Sequence, residues 1–182
     1  MIKNENNFAY IDGTNLHRGI FDSGWILDYT RFRVWLAEKY SVRRTYIFIG
    51  LIPKYKEFYV YLQEAEFTLI FKEVVYDGDS KLKGNCDADL VLQMARDAYE
   101  GKFDEAAIVS SNRDYASLIK FLKGQRKLKT ILLPHDKNLY LILLKRIDVP
   151  ISYLNNQKSI YRLKKKKSPT RTKLRKGLFC KY

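Results

Sequence analysis

Phe8-Ala9-Tyr10-Ile11-Asp12-Gly13-Thr14-Asn15-Leu16 is an apolar run that ends in a carboxylate and passes at once into helix-start residues. Phe8 to Ile11 has the length and composition of a short buried strand, and Gly13, Thr14 and Asn15 supply the turn into a helix. Asp12 therefore stands at the carboxyl end of a strand. In an open α/β sheet, ligands bind at that edge, where loops form a crevice and helix N-termini present unsatisfied N–H groups. The structural alternative is a helix cap supplied by Asp12, Thr14 or Asn15.

Outward from this stretch the chain alternates strands and helices. Asn15 to Asp22 reads as a helix broken by Ser23-Gly24, and a second follows from Thr30, its expected N-cap, to Tyr40. RRTYIFIG (43–50) is strand-like, YKEFYVYLQEAE (55–66) helical, and FTLIFKEVVY (67–76) a third strand. The polar, glycine-bearing DGDSKLKGN (77–85) reads as a surface turn before the helix CDADLVLQMARDAYEG (86–101), in which Asp97 is assigned to solvent. Then come the apolar run AAIVS (106–110), the helix SNRDYASLIKFLKG (111–124), the strand KTILLP (129–134), a helix over about 136–146 and a short strand near ISYL (151–154). Strands separated by helices imply right-handed parallel crossovers. The expected fold is α/β: Rossmann-like, three-layer α/β/α, with a mainly parallel central sheet.

With 182 residues, 46% of them apolar, the chain can bury one substantial core. Cys86 and Cys180 have no paired spacing and the start MIKNENNF is not an apolar targeting segment, so a reducing cytoplasm is expected, without a membrane. Eleven of the 34 basic residues fall from Lys158 onward with no acid among them, which leaves 23 basic against 20 acidic residues before that point. The sequence thus divides into a body, 1–157, and a basic C-terminal tail, 158–182. Lys164, Lys165, Lys166, Lys167, Arg171, Lys173, Arg175 and Lys176 would neutralise phosphates, and the tail's Tyr and Phe residues could stack on bases. A solvated tail is the plain alternative.

Asp12, the pair Asp87 and Asp89, and Asn112 with Asp114 each follow or face a strand end, so three loops offer oxygens at one sheet edge. Carboxylates a few ångströms apart repel by about 4 kcal/mol at an effective dielectric near 20, so such a group needs a cation or bound protons. Oxygen ligands without His or Cys favour Mg²⁺ or Mn²⁺. Helix-dipole stabilisation accounts equally for acids at 87 and 89, and Ser111 with Asp114 has capping-box spacing. Asp12-Gly13-Thr14 resembles part of the Asp-x-Asp-Gly-Thr motif of haloacid-dehalogenase-like phosphatases, but that motif needs a nucleophilic Asp where Tyr10 stands. No Walker loop or G-x-G-x-x-G occurs, and His17 and His135 share no motif.

The order of IDGTNL, KGNCDADLVL, AAIVSSNRDYASLI and KTILLP resembles the NYN domain of the PIN-like metal-dependent nucleases, over about Phe8 to Leu154. The first family motif, Asp with Asn three positions on, is matched by Asp12 and Asn15. The Lys-Gly-x-x-Asp-Ala-acid stretch is matched by Lys83, Gly84, Asp87, Ala88 and Asp89. The third motif departs: the family pattern is Ser-Gly-Asp-x-Asp-Phe, and this chain has Ser110-Ser111-Asn112-Arg113-Asp114-Tyr115. The resemblance implies an endoribonuclease acting on RNA, most naturally single-stranded, with Mg²⁺ or Mn²⁺ held by Asp12, Asp87 and Asp114. On the same resemblance Asp89 and the Asn112 carbonyl would be supporting ligands, Asn15 would orient a carboxylate or water, Lys83 would neutralise a phosphate or stand as a solvated turn lysine, and Arg113 would bind a phosphate or repel the metal. Homo- or hetero-oligomers are compatible with it. The alternative is an RNA-binding or adaptor protein that keeps the fold with weakened or lost catalysis, because Asn112 brings no charge.

Overall fold

The structure, a computed structural model, describes residues 5–72, 75–76, 82–83, 86–134 and 146–163. Its order is β1 (Asn7–Asp12), α1 (Gly13–Asp22), α2 (Tyr29–Tyr40), β2 (Val42–Gly50), α3 (Lys56–Glu64), β3 (Phe67–Lys72), β4 (Val75–Tyr76), β5 (Leu82–Lys83), α4 (Asp87–Tyr99), β6 (Ala106–Val109), α5 (Ala116–Gly124), β7 (Leu128–Leu133), β8 (Ile151–Tyr153) and α6 (Lys158–Tyr161). Six strands form one sheet in the order β3-β2-β1-β6-β7-β8, and every pairing in it is parallel. The α/β architecture expected from the alternating pattern is the one observed.

β1 is buried along its whole length, so its apolar run carries side chains for both faces of the sheet. Ala9 and Ile11 join Leu16, Phe32, Trp35, Leu36, Ile47 and Leu62 on one face, the side covered by α1, α2 and α3. Phe8 and Tyr10 join Leu90, Met94, Ile108, Ile119 and Leu122 on the other, covered by α4 and α5. Strand order reverses between β1 and β6, the switch point at which the two crossover directions diverge and open a crevice beyond the strand ends.

Three details differ from the sequence expectation. α2 starts at Tyr29, capped by Asp28, whose Oδ1 accepts the Arg31 N–H at 3.2 Å; the carboxylate two positions earlier takes the role assigned to Thr30. The stretch 67–76 is not one strand: β3 ends at Lys72, and β4 pairs antiparallel with β5, within the segment read as a turn. Asp97 is fully buried, because it lies seven residues after Leu90 and three after Met94 on the inward stripe of α4. Its carboxylate accepts hydrogen bonds from the Tyr10 hydroxyl (2.9 Å), Gln93 Nε2 (2.9 Å) and Lys102 Nζ (3.1 Å).

The packed body runs on through the first basic residues. Tyr161 is fully buried among Trp25, Phe32 and Trp35, and the Asp28 and Leu163 N–H groups bond to the Tyr161 and Ile26 carbonyls at 2.8 and 2.9 Å. Both indole N–H groups fasten this end of the chain, Trp25 to Asn155 Oδ1 at 2.7 Å and Trp35 to Gln157 Oε1 at 2.9 Å. The helix expected over 136–146 falls mostly outside the described residues, as does the tail from Lys164. Among the described residues no helix is long and apolar enough to cross a membrane.

Candidate active site

Asp12 is the last residue of β1 and the N-cap of α1, and Gly13 is what lets those two roles coincide. A Cβ at position 13 would lie 2.3 Å from Ile49 Cγ2 and 2.8 Å from the Phe48 carbonyl, so only glycine allows the first turn of α1 to press against β2. The Asp12 backbone is extended (φ −73°, ψ 100°), and its Oδ1 accepts the Asn15 N–H at 3.0 Å. Capping takes only that oxygen. Oδ2 points across the switch point to the loop after β6, accepting the Ser110 hydroxyl at 3.2 Å and standing 3.4 Å from the Tyr115 hydroxyl.

The loop after β6 is held in turn by α1. Asn15 Oδ1 accepts the Ser111 N–H at 2.8 Å, and Ser110 Oγ accepts the Asn112 N–H at 3.0 Å. Asn112 caps the short 3₁₀ turn Arg113–Tyr115, its Oδ1 accepting the Asp114 N–H at 3.1 Å. With the carbonyl oxygen engaged there, the amide nitrogen faces the first turn of α4, and Nδ2 donates to Asp87 Oδ2 at 2.8 Å. The Tyr115 hydroxyl donates to the other oxygen, Asp87 Oδ1. Tyr115 is 1% exposed, so its ring packs in the core while its oxygen stands between Asp12 and Asp87.

The electrostatics follow from this enclosure. Burial, reinforced by the Asp87 charge, pushes the Asp12 carboxyl up to about 6, although the hydrogen bonds from Asn15, Ser110 and Tyr115 favour the anion. Burial, then the Asp12 and Asp87 charges, raises the Tyr115 phenol far above its ordinary value, so it serves as a donor. Cys86, at the N-cap of α4, is pushed up to about 12 by burial and then by Asp12, Asp89 and Asp87. The N-termini of α1 and α4 offset part of the carboxylate repulsion, since each carries a partial positive charge.

The structure thus brings Asp12, Asn15, Asp87 and Asn112 together, and leaves other sequence candidates apart. Asp114 is exposed at the turn, and among the described residues no set of three or more His, Cys, Asp or Glu side chains is arranged to hold a metal. Asp89 turns to Lys72, whose Nζ lies 2.9 Å from its Oδ2. Arg113 is exposed in the turn that carries Tyr115. Lys83 falls on β5, where only the backbone is described, and Lys164, Lys165, Lys166, Lys167, Arg171, Lys173, Arg175 and Lys176 lie outside the described residues. Sequence reasoning missed Tyr115 and the hydroxyl of Ser110; the one available signal was their position, flanking the candidate acids just past a strand end. Ser111 Oγ is also buried here, with no hydrogen-bond partner among the described residues.

The family model of the NYN domain matches residues 8–145. No curated protein matches the sequence. Among solved structures, a protein of unknown function from Vibrio parahaemolyticus superposes with a TM-score of 0.68 at 17% identity, over 90% of this chain and 99% of that one. At that identity the likeness is one of fold.

Proposed function

The chain belongs to the NYN family of the PIN-like nuclease superfamily, and from that premise we propose that it is a divalent-metal-dependent endoribonuclease acting on single-stranded RNA. The observation that carries the reading is the juxtaposition of two carboxylates, Asp12 and Asp87, about one phenol at the sheet's switch point.

The donor set suits a hard cation. Asp12 holds a proton up to pH about 6 because burial and Asp87 disfavour its charge, and a bound Mg²⁺ or Mn²⁺ would offset the same repulsion. Such ions use one or two carboxylates and keep several waters, so Asp12 and Asp87 with neutral oxygens are a sufficient set. When bound, the ion supplies Lewis acidity toward a phosphodiester oxygen and lowers the pKa of a coordinated water. The chain's own residues do the positioning. The Asn15 backbone and Ser110 fix the Asp12 carboxylate at both oxygens, and the Asn15 side chain ties the β6 loop to α1. Ser111 Oγ, without a hydrogen-bond partner among the described residues, would offer an oxygen to a bound molecule, and Arg113 and Lys83 would be the cations for flanking phosphates, with the tail adding non-specific attraction.

Asn112 favours a second reading, an RNA-binding protein with a weakened nuclease centre. Its amide donates to Asp87 instead of adding a charge, and Asp114 is exposed at the turn. Incubating the full chain with labelled RNA and DNA strands in Mn²⁺, Mg²⁺ or EDTA separates the two. RNA fragments that form with metal and not with EDTA support the nuclease; retention of intact RNA under every condition supports the binder.

A further inference from the structure

Both oxygens of Asp87 are occupied by side-chain donors of the chain itself. Asn112 Nδ2–H bonds to Oδ2 at 2.8 Å, and the Tyr115 O–H bonds to Oδ1. The two donors sit three residues apart on one 3₁₀ turn, which is pinned by the Asn112 cap on the Asp114 N–H and by the buried Tyr115 ring. They also sit at two of the three positions of the third motif that depart from the pattern Ser-Gly-Asp-x-Asp-Phe, which offers a carboxylate where Asn112 stands and a ring without a hydroxyl where Tyr115 stands; the third departure is Ser111 in place of Gly. At 112 and 115 the departure adds a proton donor, and these two donors converge on the same carboxylate.

We propose that Asn112 and Tyr115 form a latch on Asp87, positioning residues that compete with a divalent cation for its oxygens and so raise the cation concentration the site requires. Two hydrogen bonds, one of them from a buried phenol, satisfy part of the Asp87 charge and take one lone pair on each oxygen, so a cation meets a weaker ligand there unless a donor gives way. Asp12 is held by other donors, the Asn15 N–H on Oδ1 and the Ser110 hydroxyl on Oδ2, with the Tyr115 hydroxyl 3.4 Å from Oδ2, while the Asn112 amide bonds to Asp87. Coordination of the cation by Asp87 is therefore the step the latch governs.

The inference rests on the reading of Asp12 and Asp87 as cation ligands, and the test keeps the two separable. Mn²⁺ is titrated by calorimetry into the full-length wild type and the variants Tyr115→Phe, Asn112→Asp and Asp87→Asn, with folding checked by circular dichroism. A hydrogen bond to a charged group contributes enough that removing one donor should tighten Mn²⁺ binding about tenfold in Tyr115→Phe. Asn112→Asp, which keeps the cap and adds a charge, should tighten it at least as much, while Asp87→Asn weakens it. Mn²⁺ should also perturb the near-ultraviolet tyrosine absorbance of the wild type, a change absent from Tyr115→Phe, which a merely structural tyrosine would not produce. Wild-type affinity in both Tyr115→Phe and Asn112→Asp, or looser binding in either, overturns the latch and leaves the carboxylate reading standing. No Mn²⁺ binding in any folded form, Asn112→Asp included, overturns both.

Discussion

Asp12 serves two elements with one side chain: Oδ1 caps α1, and Oδ2 joins the loop beyond β6. The capping role, which competes with a ligand role as a reading of the sequence, therefore takes only one of the two oxygens. A few residues away on α1, His17 stacks on Phe21, and burial depresses it from 6.5 to about 4. Between those values the unfolded chain binds a proton that the folded chain refuses. Its contribution to stability is therefore present above pH 6.5 and lost as pH falls toward 4, by about 3 kcal/mol at most. Asp12 acts with the opposite sign, since its raised value favours the folded state at low pH and loses that contribution as pH rises through about 6. Comparing denaturant midpoints of the wild type and His17→Phe, both with Asp12 and in EDTA, isolates the histidine: the acid-side loss should be smaller in the variant, and equal losses would contradict the assignment. Tyr115 shows where single-residue reading stops. Its partners Asp87 and Asp12 are 28 and 103 positions away, and nothing local distinguishes its hydroxyl from those of the chain's 13 other tyrosines.

At the scale of elements, β1, β6 and α4 are the parts that position the site, and each is legible because an apolar run or a 3.6-residue stripe marks it. The same stripe on α4 holds Asp97, so its burial is also written in the spacing; assigning it to solvent follows residue type instead of periodicity. The split of 67–76 is not legible, because continuous β-formers do not record where a strand leaves its sheet. The junction of β1 with α1 carries a sharp prediction. Gly13→Ala would place a methyl group 2.8 Å from the Phe48 carbonyl, a backbone atom with little freedom to move, as well as against Ile49. We expect a loss of about 1–3 kcal/mol in chemical denaturation, together with weaker Mn²⁺ binding as Asp12 shifts. Unchanged stability and metal affinity would show that the close approach does not hold the site.

At the scale of the molecule, the packing runs past the change in charge at Lys158: Tyr161 is buried and Leu163 still bonds to Ile26. The basic tail should therefore be removed after Leu163, leaving Tyr161 in place. That truncation should keep the melting temperature, lower the affinity for single-stranded RNA and flatten its salt dependence by about 0.7 in logarithmic slope for each phosphate the tail neutralises. An unchanged slope in binding titrations at several salt concentrations would remove the tail from the account. The central claim is hydrolysis at Asp12 and Asp87, and it is tested most directly by single-stranded RNA cleavage in Mn²⁺ by the wild type and by folded Asp12→Asn, each with an EDTA control. The account predicts fragments only from the wild type and only with metal; cleavage by Asp12→Asn, or by the wild type in EDTA, would contradict it.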